Sequence, residues 1–571
     1  MTEVHTVQDW WRNAVIYQVY VRSFADGTGD GVGDLAGVRS KLPYLRDLGV
    51  DALWFNPWYP SPMADGGYDV ISYRDIDPAF GTLAEAEALI AEARELGMHA
   101  IVDIVPNHVS DRHPWFQAAL SAAPGSPERQ RFWFRPGRGP KGDEPPNRWP
   151  SNFGGSAWSR TKAADGSAGE WYLHLFAPEQ PDLNWDNDDV RHEHEEVLRF
   201  WFDRGAAGVR IDSAALLIKD PVLREVDPGH APGDHVHVDR DEVHDIYRSW
   251  RALADSYPEP RVLIGELWLN DQDRLARYLR PDELHTAFNF DFLTCPWDAD
   301  RLHETIEQTL TTHSSANATA TWVLSNHDVT RPVTRYGRVE TSFAFEAKRA
   351  GVPTDLALGE RRARAAALLS LALPGSAYVY QGEELGLPEV EDIDPERIQD
   401  PMHFRSGGVD PGRDGARVPL PWRGDTPPYG FSPDGTSDTW LPQPDTWAEL
   451  TVTAQQANLA STYWLYRNAI AIRRAEPELR DSAFGWLDLG PNVLLFTRGS
   501  RFACAVNLSD SPVTLPEHDS ILLASAPLTA GKLAPDAAAW LRLGQDDGDV
   551  AGGSRRPAGS AGGSGQPGRA R

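Results

Sequence analysis

Eight short apolar segments recur between residues 14 and 382, and most of them are separated by stretches of helical composition. Each segment is almost continuously apolar, which is typical of strands in a parallel sheet that is covered on both faces. Eight such strands alternating with helices predict an α/β fold, a (β/α)8 or TIM barrel. The predicted strands are residues 14–20, 50–56, 99–105, 207–212, 261–267, 285–290, 321–326 and 377–382.

The segment between the second and third predicted strands, "GTLAEAEALIAEARELG", has the features of a helix. Thr82 and Glu85 have the spacing of a capping box, in which each residue satisfies a backbone N–H group of the other. The interior is rich in Ala, Leu and Glu, and Gly97 marks the C-terminal end. We therefore predict a helix within residues 81–97.

Two intervals are too long to be simple connections between a strand and a helix. The first follows the third strand, is rich in Pro, Gly, Trp and Arg, and predicts an irregular inserted domain over the C-terminal mouth of the barrel. The second, about 383–455, precedes a strong helix predicted at 457–479. The predicted domains are the barrel (1–105 and 186–479), the inserted domain (106–185), a C-terminal antiparallel β domain (480–544) and a low-complexity, disordered tail (545–571).

The chain is acidic, with 55 Lys and Arg against 83 Asp and Glu and a net charge of −28. This charge argues against nucleic acid or an anionic membrane as a partner, although a general preference for acidic surfaces explains it equally well. No apolar stretch is long enough to span a membrane, and the N-terminus lacks the pattern of a secretory signal. Cys295 and Cys504 are far apart, so we expect free thiols and a cytoplasmic location.

Charged and polar side chains stand at the C-terminal ends of several predicted strands, where barrel enzymes place their catalytic groups. In "GVRIDSA", Arg210 and Asp212 are two residues apart in a strand and therefore share one face. Buried carboxylates are costly unless they are paired, so three of them from three strands predict an active site. The other strand-end residues are Asp103, Asn107 and His108 (strand three), Glu266 (strand five), and His327 and Asp328 (strand seven).

These motifs carry a resemblance to a known family. "DIVPNH", "GVRIDSA", "GELW" and "SNHD", in this order and spacing, resemble the four signature regions of glycoside hydrolase family 13, the α-amylase superfamily. "QPDLNW" (180–185) resembles a signature of the oligo-1,6-glucosidase and α-glucosidase branch, and "GRDGARVPLPW" (412–422) resembles a loop of bacterial α-glucosidases. The resemblance covers roughly residues 10–540 and implies a barrel hydrolase with an inserted domain.

The resemblance also implies a role for each strand-end residue. Asp212 would be the nucleophile that attacks the anomeric carbon, and Arg210 would keep it ionised, since an adjacent cation lowers the pKa of a carboxylate. Glu266 would protonate the leaving oxygen and later activate water. Asp328 would bind sugar hydroxyls and favour the distorted, oxocarbenium-like ring.

The sugar-binding residues follow from the same resemblance. Asp65 and Tyr68 in "DGGYD" resemble the pair that closes the non-reducing end in exo-acting members, whereas Asp103 is expected to support its strand end. The full set implied for sugar binding is Asp65, Tyr68, His108, Arg210, His327 and a basic residue, Arg417 or alternatively Arg413.

A second site is suggested by "DGTGDGVGD", which alternates oxygen-bearing residues and glycine in the manner of a calcium loop. It is not an EF-hand, because Gly37 stands where an EF-hand requires Glu. The resemblance implies a structural Ca²⁺ or Mg²⁺ and no organic cofactor, and the alternative is an acidic turn that needs no ion. The predicted ligands are Asp26, Thr28, Asp30, the backbone carbonyl of Val32, and Asp34.

The implied activity is that of a retaining, exo-acting α-glucosidase on small oligosaccharides or disaccharides, with transglucosylation as a further outcome. Members that prefer α-1,6 bonds resemble one another in having Val after the nucleophile, so Ser213 favours α-1,4. Trehalose synthase, sucrose hydrolase and sucrose isomerase are the alternatives within the family. A non-catalytic interaction protein is the alternative outside enzyme function, and such proteins typically lack one or more of the three carboxylates.

Overall fold

A computed structural model of the chain describes residues 7–162, 166–226, 235–269, 271–436, 438–480 and 482–544. The predicted tail, 545–571, lies outside the described residues. Among the helices described, none has the length and apolar character needed to cross a membrane. Cys295 and Cys504 are both buried and free.

The described strands provide the framework. They are β1 (Val15–Val19), β2 (Ala52–Phe55), β3 (His99–Ile104), β4 (Phe134–Arg135), β5 (Trp158–Lys162), β6 (Ala168–Leu173), β7 (Gly208–Ile211), β8 (Val262–Gly265), β9 (Thr286–Ala287), β10 (Thr321–Val323), β11 (Ser376–Tyr380), β12 (Phe484–Leu487), β13 (Val493–Arg498), β14 (Phe502–Asn507), β15 (Val513–Thr514), β16 (Ser520–Ala524), β17 (Lys532–Leu533) and β18 (Ala537–Arg542).

The described α-helices are α1 (Val21–Phe24), α2 (Leu35–Leu48), α3 (Leu83–Glu95), α4 (Pro114–Ser121), α5 (Pro127–Gln130), α6 (Asp188–Asp203), α7 (Val243–Asp255), α8 (Gln272–Tyr278), α9 (Phe290–Thr294), α10 (Ala299–Ser315), α11 (Pro332–Tyr336), α12 (Leu356–Ala372), α13 (Pro401–Arg405), α14 (Val452–Ala457) and α15 (Thr462–Ala475). Short 3-10 helices lie at Val7–Asn13, Phe345–Ala347, Asp414–Ala416, Ala448–Leu450 and Pro477–Leu479.

Eight parallel strands form a nearly closed barrel in the order β10-β11-β1-β2-β3-β7-β8-β9, which confirms the predicted TIM-type fold. Every residue of β1, β2, β7, β8 and β11 is buried. The strands read as apolar runs because one face fills the barrel and the other meets the helices. Between β9 and β10 the Thr286 hydroxyl bonds the Thr319 carbonyl at 3.2 Å and the Thr321 hydroxyl.

Local signals set the ends of several elements. The capping box of Thr82 and Glu85 is present at the start of α3, as predicted. The predicted strand 285–290 is shorter, because Asn289 caps α9 by accepting a hydrogen bond from the Phe292 N–H. The helix predicted at 457–479 is present but shorter: Ser461 caps its start, it runs as α15 to Ala475, and Pro477 begins a separate 3-10 turn.

The insertion after β3 contains a three-stranded antiparallel sheet in the order β4-β6-β5. Trp133, Trp149 and Trp158 form its apolar cluster. A buried ammonium group joins this insertion to the barrel, because Lys219 Nζ lies 3.0 Å from Asp182 Oδ2 and donates to Asn107 Oδ1 at 2.6 Å. The insertion is thereby held over the C-terminal ends of the barrel strands.

The C-terminal region forms a five-stranded antiparallel sheet in the order β12-β13-β14-β18-β16, with β15 and β17 paired beside it. Its strand β18 packs on α12, and Trp540 Nε1 donates to the Leu368 carbonyl at 3.0 Å. This sheet lies against the helical shell of the barrel, and none of its residues lines the catalytic cavity described below.

Candidate active site

A cavity of about 620 Å³ opens at the C-terminal ends of the barrel strands. Asp212 directly follows β7, Glu266 directly follows β8, and Asp328 lies in the loop after β10. All three carboxylates line this cavity, together with Phe153 and Phe176 from the inserted domain. The three strand-end carboxylates that the sequence singled out therefore meet in one space.

One buried guanidinium pairs with three carboxylates, two of which line the cavity. Arg210 is 1% exposed, and its Nη1 donates to Asp212 Oδ1 at 2.7 Å and to Asp103 Oδ1 at 3.1 Å. Its Nη2 lies 2.7 Å from Glu266 Oε2. The i, i+2 spacing in β7 thus places the cation beside the carboxylate that it neutralises, since a buried charge requires a partner.

Burial raises the pKa values of both central carboxyl groups. Burial raises the pKa of Asp212 to about 6, although Arg210 opposes the shift. Burial likewise raises the pKa of Glu266 to about 7 against the same cation, with the charge of Asp212 adding to the rise. Between these values Asp212 is ionised while Glu266 holds a proton, which is the arrangement that a nucleophile and an acid need.

The carboxyl group of Glu266 is held from two sides. The Ser213 N–H donates to Oε2 at 2.9 Å, and Trp268 Nε1 donates to Oε1 at 3.1 Å. Ser213 adopts a left-handed backbone conformation with φ of 47°, which is uncommon for a residue other than glycine. The turn after β7 therefore aims a backbone donor at the carboxyl group that follows β8.

A buried hydrogen-bond network holds the His327 ring beside Asp328. Gln18 Nε2 donates to His327 Nδ1 at 2.8 Å and to Asn56 Oδ1 at 2.9 Å. His327 Nδ1 is therefore an acceptor, and Nε2 carries the proton 3.3 Å from Asp328 Oδ2. Burial holds the pKa of His327 well below its ordinary value, so the ring is neutral. Tyr68 stacks on this ring at 5.2 Å.

A buried ion pair of a carboxylate and a guanidinium forms part of the cavity lining. Arg413 Nη2 donates to Asp65 Oδ1 at 2.6 Å, and Gln180 Nε2 donates to Asp65 Oδ2 at 2.9 Å. Arg417, the first of the two basic residues implied by the resemblance, donates to Asp328 Oδ1 at 2.8 Å and to the His327 carbonyl rather than to Asp65. Arg413, the alternative, lines the cavity. The sequence could not show which of the two arginines lines the cavity, because they stand at the two ends of the same short 3-10 turn.

Two other predicted residues have distinct positions. His108 lines the cavity, and its Nε2 lies 3.0 Å from Gln180 Nε2. Burial lowers the pKa of His108 to about 3, so it is neutral. Asp103 lies behind the cavity, where its Oδ2 accepts hydrogen bonds from Tyr68 and from Trp54, as expected of a supporting residue.

Several residues of the site were not singled out from the sequence. Gln180 stands within the quoted segment "QPDLNW", but nothing in the segment shows that its amide reaches Asp65. No sequence motif marked Phe153 or Asp400, because each contributes through a contact with Arg413 that only the folded loops bring about. Gln18 faces inward from β1. The one signal available in the sequence was the position of this polar residue within an apolar predicted strand.

In the glycine-rich loop before α2, two carboxylates of the predicted metal site accept hydrogen bonds from backbone N–H groups. Asp26 accepts hydrogen bonds from the N–H groups of Gly29 and Gly31, and Asp34 accepts from those of Gly27, Thr28 and Gly37. The oxygen-bearing residue types suit Ca²⁺, but within the described chain no three or more His, Cys, Asp or Glu side chains converge as a metal group. Metal binding by this loop stays a prediction.

Comparison with known proteins assigns the family. The model described as the catalytic domain of alpha amylase matches residues 18–482. The chain belongs to the alpha-amylase family. A domain of unknown function matches residues 494–540, which lie in the C-terminal sheet of this alpha-amylase-family chain.

Individual relatives agree with this assignment. The chain is 36% identical to a probable alpha-glucosidase of Rhizobium meliloti over 89% of this chain and 91% of the relative. It is 35% identical to the trehalose-6-phosphate hydrolase of Escherichia coli, over 85% and 87% respectively. The crystal structure of isomaltulose synthase from Klebsiella sp. LX3 superposes with a TM-score of 0.82 at 30% identity, covering 93% of this chain and 99% of that one. The chain is thus an alpha-amylase-family glycoside hydrolase with relatives of the α-glucosidase type.

Proposed function

We propose that this alpha-amylase-family chain is a retaining, exo-acting α-glucosidase that releases α-glucose from the non-reducing end of short, neutral α-glucosides. The observation that carries the proposal is the buried Arg413–Asp65 ion pair in the cavity lining, which we infer closes one end of the cavity. There, Arg413 and Asp65 form a wall beside Asp328, Asp212 and Glu266. A chain end can enter such a space, whereas the middle of a polysaccharide cannot pass through it.

The chemistry follows from the positions of Asp212 and Glu266. The ionised Asp212 attacks the anomeric carbon while Glu266 gives its proton to the departing glycosidic oxygen, leaving a β-glucosyl ester on Asp212. Glu266, now ionised, takes a proton from water as the water oxygen attacks the same carbon. The ester breaks, α-glucose leaves, and both carboxyl groups regain their starting states, so the configuration is retained. Their shared contact with Arg210 keeps the two groups close, as a retaining enzyme requires.

Three further side chains support the glucosyl ring in this proposal. Asp328 is placed to stabilise positive charge on the ring. Burial raises the pKa of Asp328, but His327, Arg413 and Arg417 together outweigh burial and hold this pKa below its ordinary value. The neutral His327 supplies an N–H donor, and Tyr68 supplies an aromatic face. These groups surround one sugar unit next to the closed end.

The lining also favours neutral leaving groups over phosphorylated ones. Among the described residues that line the cavity, Arg413 is the only Lys or Arg. Its guanidinium is already bound by Asp65, Asp328 and Asp400. A phosphate group would therefore meet no unpaired Lys or Arg among the described lining residues, and the desolvation of its charge would be poorly repaid. This distinguishes the proposal from the activity in the name of the trehalose-6-phosphate hydrolase relative.

The product profile is the decisive measurement. Incubation with maltose, isomaltose, sucrose and trehalose is expected to release free glucose, fastest from maltose because Ser213 follows the nucleophile. The newly released glucose is expected to be the α anomer when observed by NMR before mutarotation. Trehalose 6-phosphate, the charged control, is expected to give a kcat/KM lower by about 100-fold or more. Trehalose formed from maltose, or a sucrose isomer formed without free glucose, would replace the proposal with an isomerase function.

The protonation states predict a bell-shaped pH dependence of kcat/KM. Activity is expected to rise as Asp212 loses its proton near pH 6 and to fall as Glu266 loses its proton near pH 7. The measurement is kcat/KM for maltose between pH 4 and about 9. A rate that stays constant above pH 7 to the end of this range would contradict the assignment of Glu266 as the acid.

A further inference from the structure

Asp400 lies in the long segment between β11 and α14, and it has no contact with the cavity. Its side chain is nevertheless 1% exposed and carries a charge, so its burial requires strong partners. We propose that Asp400 is a positioning residue: it fixes the guanidinium of Arg413 at the closed end and thereby sets the affinity for the terminal glucose. This inference rests on the proposed exo-glucosidase function.

The contact between the two side chains is a charged fork. Asp400 Oδ2 accepts from Arg413 Nε at 2.7 Å and from the Arg413 backbone N–H, and Oδ1 accepts from Nη2 at 3.0 Å. Such two-point contacts fix the plane of a guanidinium as well as its distance. Arg413 therefore has one orientation, with its Nη groups directed to Asp65 and Asp328.

Asp400 is itself held on the side away from Arg413. Its Oδ1 accepts from the Met402 N–H at 2.9 Å as the N-cap of α13, and its own N–H donates to Asp414 Oδ2 at 3.1 Å. Met402 packs with Phe153 and Ala177 of the inserted domain. Asp400 consequently lies at the junction between the segment that follows β11 and the inserted domain.

The balance of charge explains why this anchor affects sugar binding. The cations Arg413 and Arg417 face the carboxylates of Asp65, Asp328 and Asp400. Arg413 and Arg417 outweigh burial and hold the pKa of Asp400 below its ordinary value, so Asp400 is ionised. Without this third carboxylate, the charge of Arg413 would be balanced only by carboxylates that are proposed to bind sugar hydroxyls. Those carboxylates would be drawn to the guanidinium and would lose acceptor capacity for the substrate.

The test is Asp400→Asn, which keeps the size of the side chain and a good N-cap but removes the charge. On maltose, KM is expected to rise by about tenfold or more, the effect of losing a hydrogen bond to a charged group. The value of kcat is expected to change by less than about threefold, because an interaction made equally with substrate and transition state affects KM alone. Arg417 still holds Asp328 in this variant.

A double-mutant cycle separates positioning from a general structural role. If Asp400 acts only through Arg413, then adding Asp400→Asn to Arg413→Ala is expected to change KM by less than about twofold relative to Arg413→Ala. A purely structural role would give a KM penalty that adds in full to that of Arg413→Ala, and this result would overturn the inference. Asp400→Glu, which restores the charge, is expected to recover part of the affinity lost in Asp400→Asn.

Asp410→Asn is the matched control, since Asp410 lies in the same segment and is ion-paired with Lys348 at 2.6 Å rather than with Arg413. Its KM is expected to equal that of the wild type, and the melting temperature of every variant is measured alongside. A wild-type protein that cleaves no α-glucoside would refute the proposed function. Wild-type activity with an unchanged KM in Asp400→Asn would refute only the role of Asp400.

Discussion

Asp212→Asn is expected to lower kcat for maltose by about 10⁴-fold or more while the protein remains folded. The neutral carboxamide cannot form the glucosyl ester that the proposed mechanism requires. Folding should survive because Arg210 keeps its contacts with Asp103 and Glu266. Initial rates and the melting temperature of the purified variant are the two measurements.

A covalent label and a matched substitution complete this test. A slow fluorinated glucoside is expected to add one glucosyl unit to the wild type, and mass spectrometry should locate it in the peptide that contains Asp212. Asp291→Asn is the control, since Asp291 also lines the cavity but its carboxylate accepts from the Gln272 amide rather than from Arg210. Its kcat is expected to stay within about threefold of the wild type. Label on any residue other than Asp212 would disprove the nucleophile assignment.

Glu266→Gln is expected to lower kcat for maltose by about 10³-fold, because the leaving sugar then departs without a proton. Gln keeps the size of the side chain and its oxygen can still accept the Ser213 N–H. The loss should be much smaller for cleavage of an aryl glucoside with an acidic phenol, which leaves without protonation. Rates on the two substrates therefore distinguish a lost acid from a damaged site.

The second half-reaction of Glu266→Gln gives an independent readout. Azide needs no base, so it is expected to accelerate turnover of the aryl glucoside and to yield α-glucosyl azide. The variant should also lack the loss of activity near pH 7 on this substrate, since that limb belongs to Glu266. Equal losses on maltose and on the aryl glucoside, with no effect of azide, would contradict the acid and base role.

Much of the fold is predictable because barrel strands are buried on both faces. Continuous apolar runs such as those of β1 and β11 follow directly from this burial. The exact ends of helices and strands were less predictable. Strand β9 is two residues long because Asn289 caps the helix that follows it. The last long helix before the C-terminal sheet begins after Ser461, later than its apolar pattern indicates. A capping residue can end a helix or strand where the apolar pattern would continue it. Which of the two decides the end depends on contacts with residues outside the local sequence.

The catalytic carboxylates could be found from the sequence because strand ends place them at one face of the barrel. Asp212, Glu266 and Asp328 each follow a recognisable strand, so their convergence needs only the barrel geometry. The closed end of the cavity could not be found in this way. It is built by Asp65, Gln180 and Arg413, which lie in three separate long loops. No repeating pattern of residues links these three loops in the sequence.

For this protein, the amino-acid sequence alone determined the barrel, the three acidic strand ends and the cation paired with the first of them, because alternation along a strand sets which side chains share a face. The tertiary structure decided which arginine closes the cavity and that Asp400 anchors it. Those contacts join residues such as Asp65 and Arg413, which are hundreds of positions apart in loops. Their meeting depends on how separate connections pack over the barrel, and no local periodicity encodes that packing.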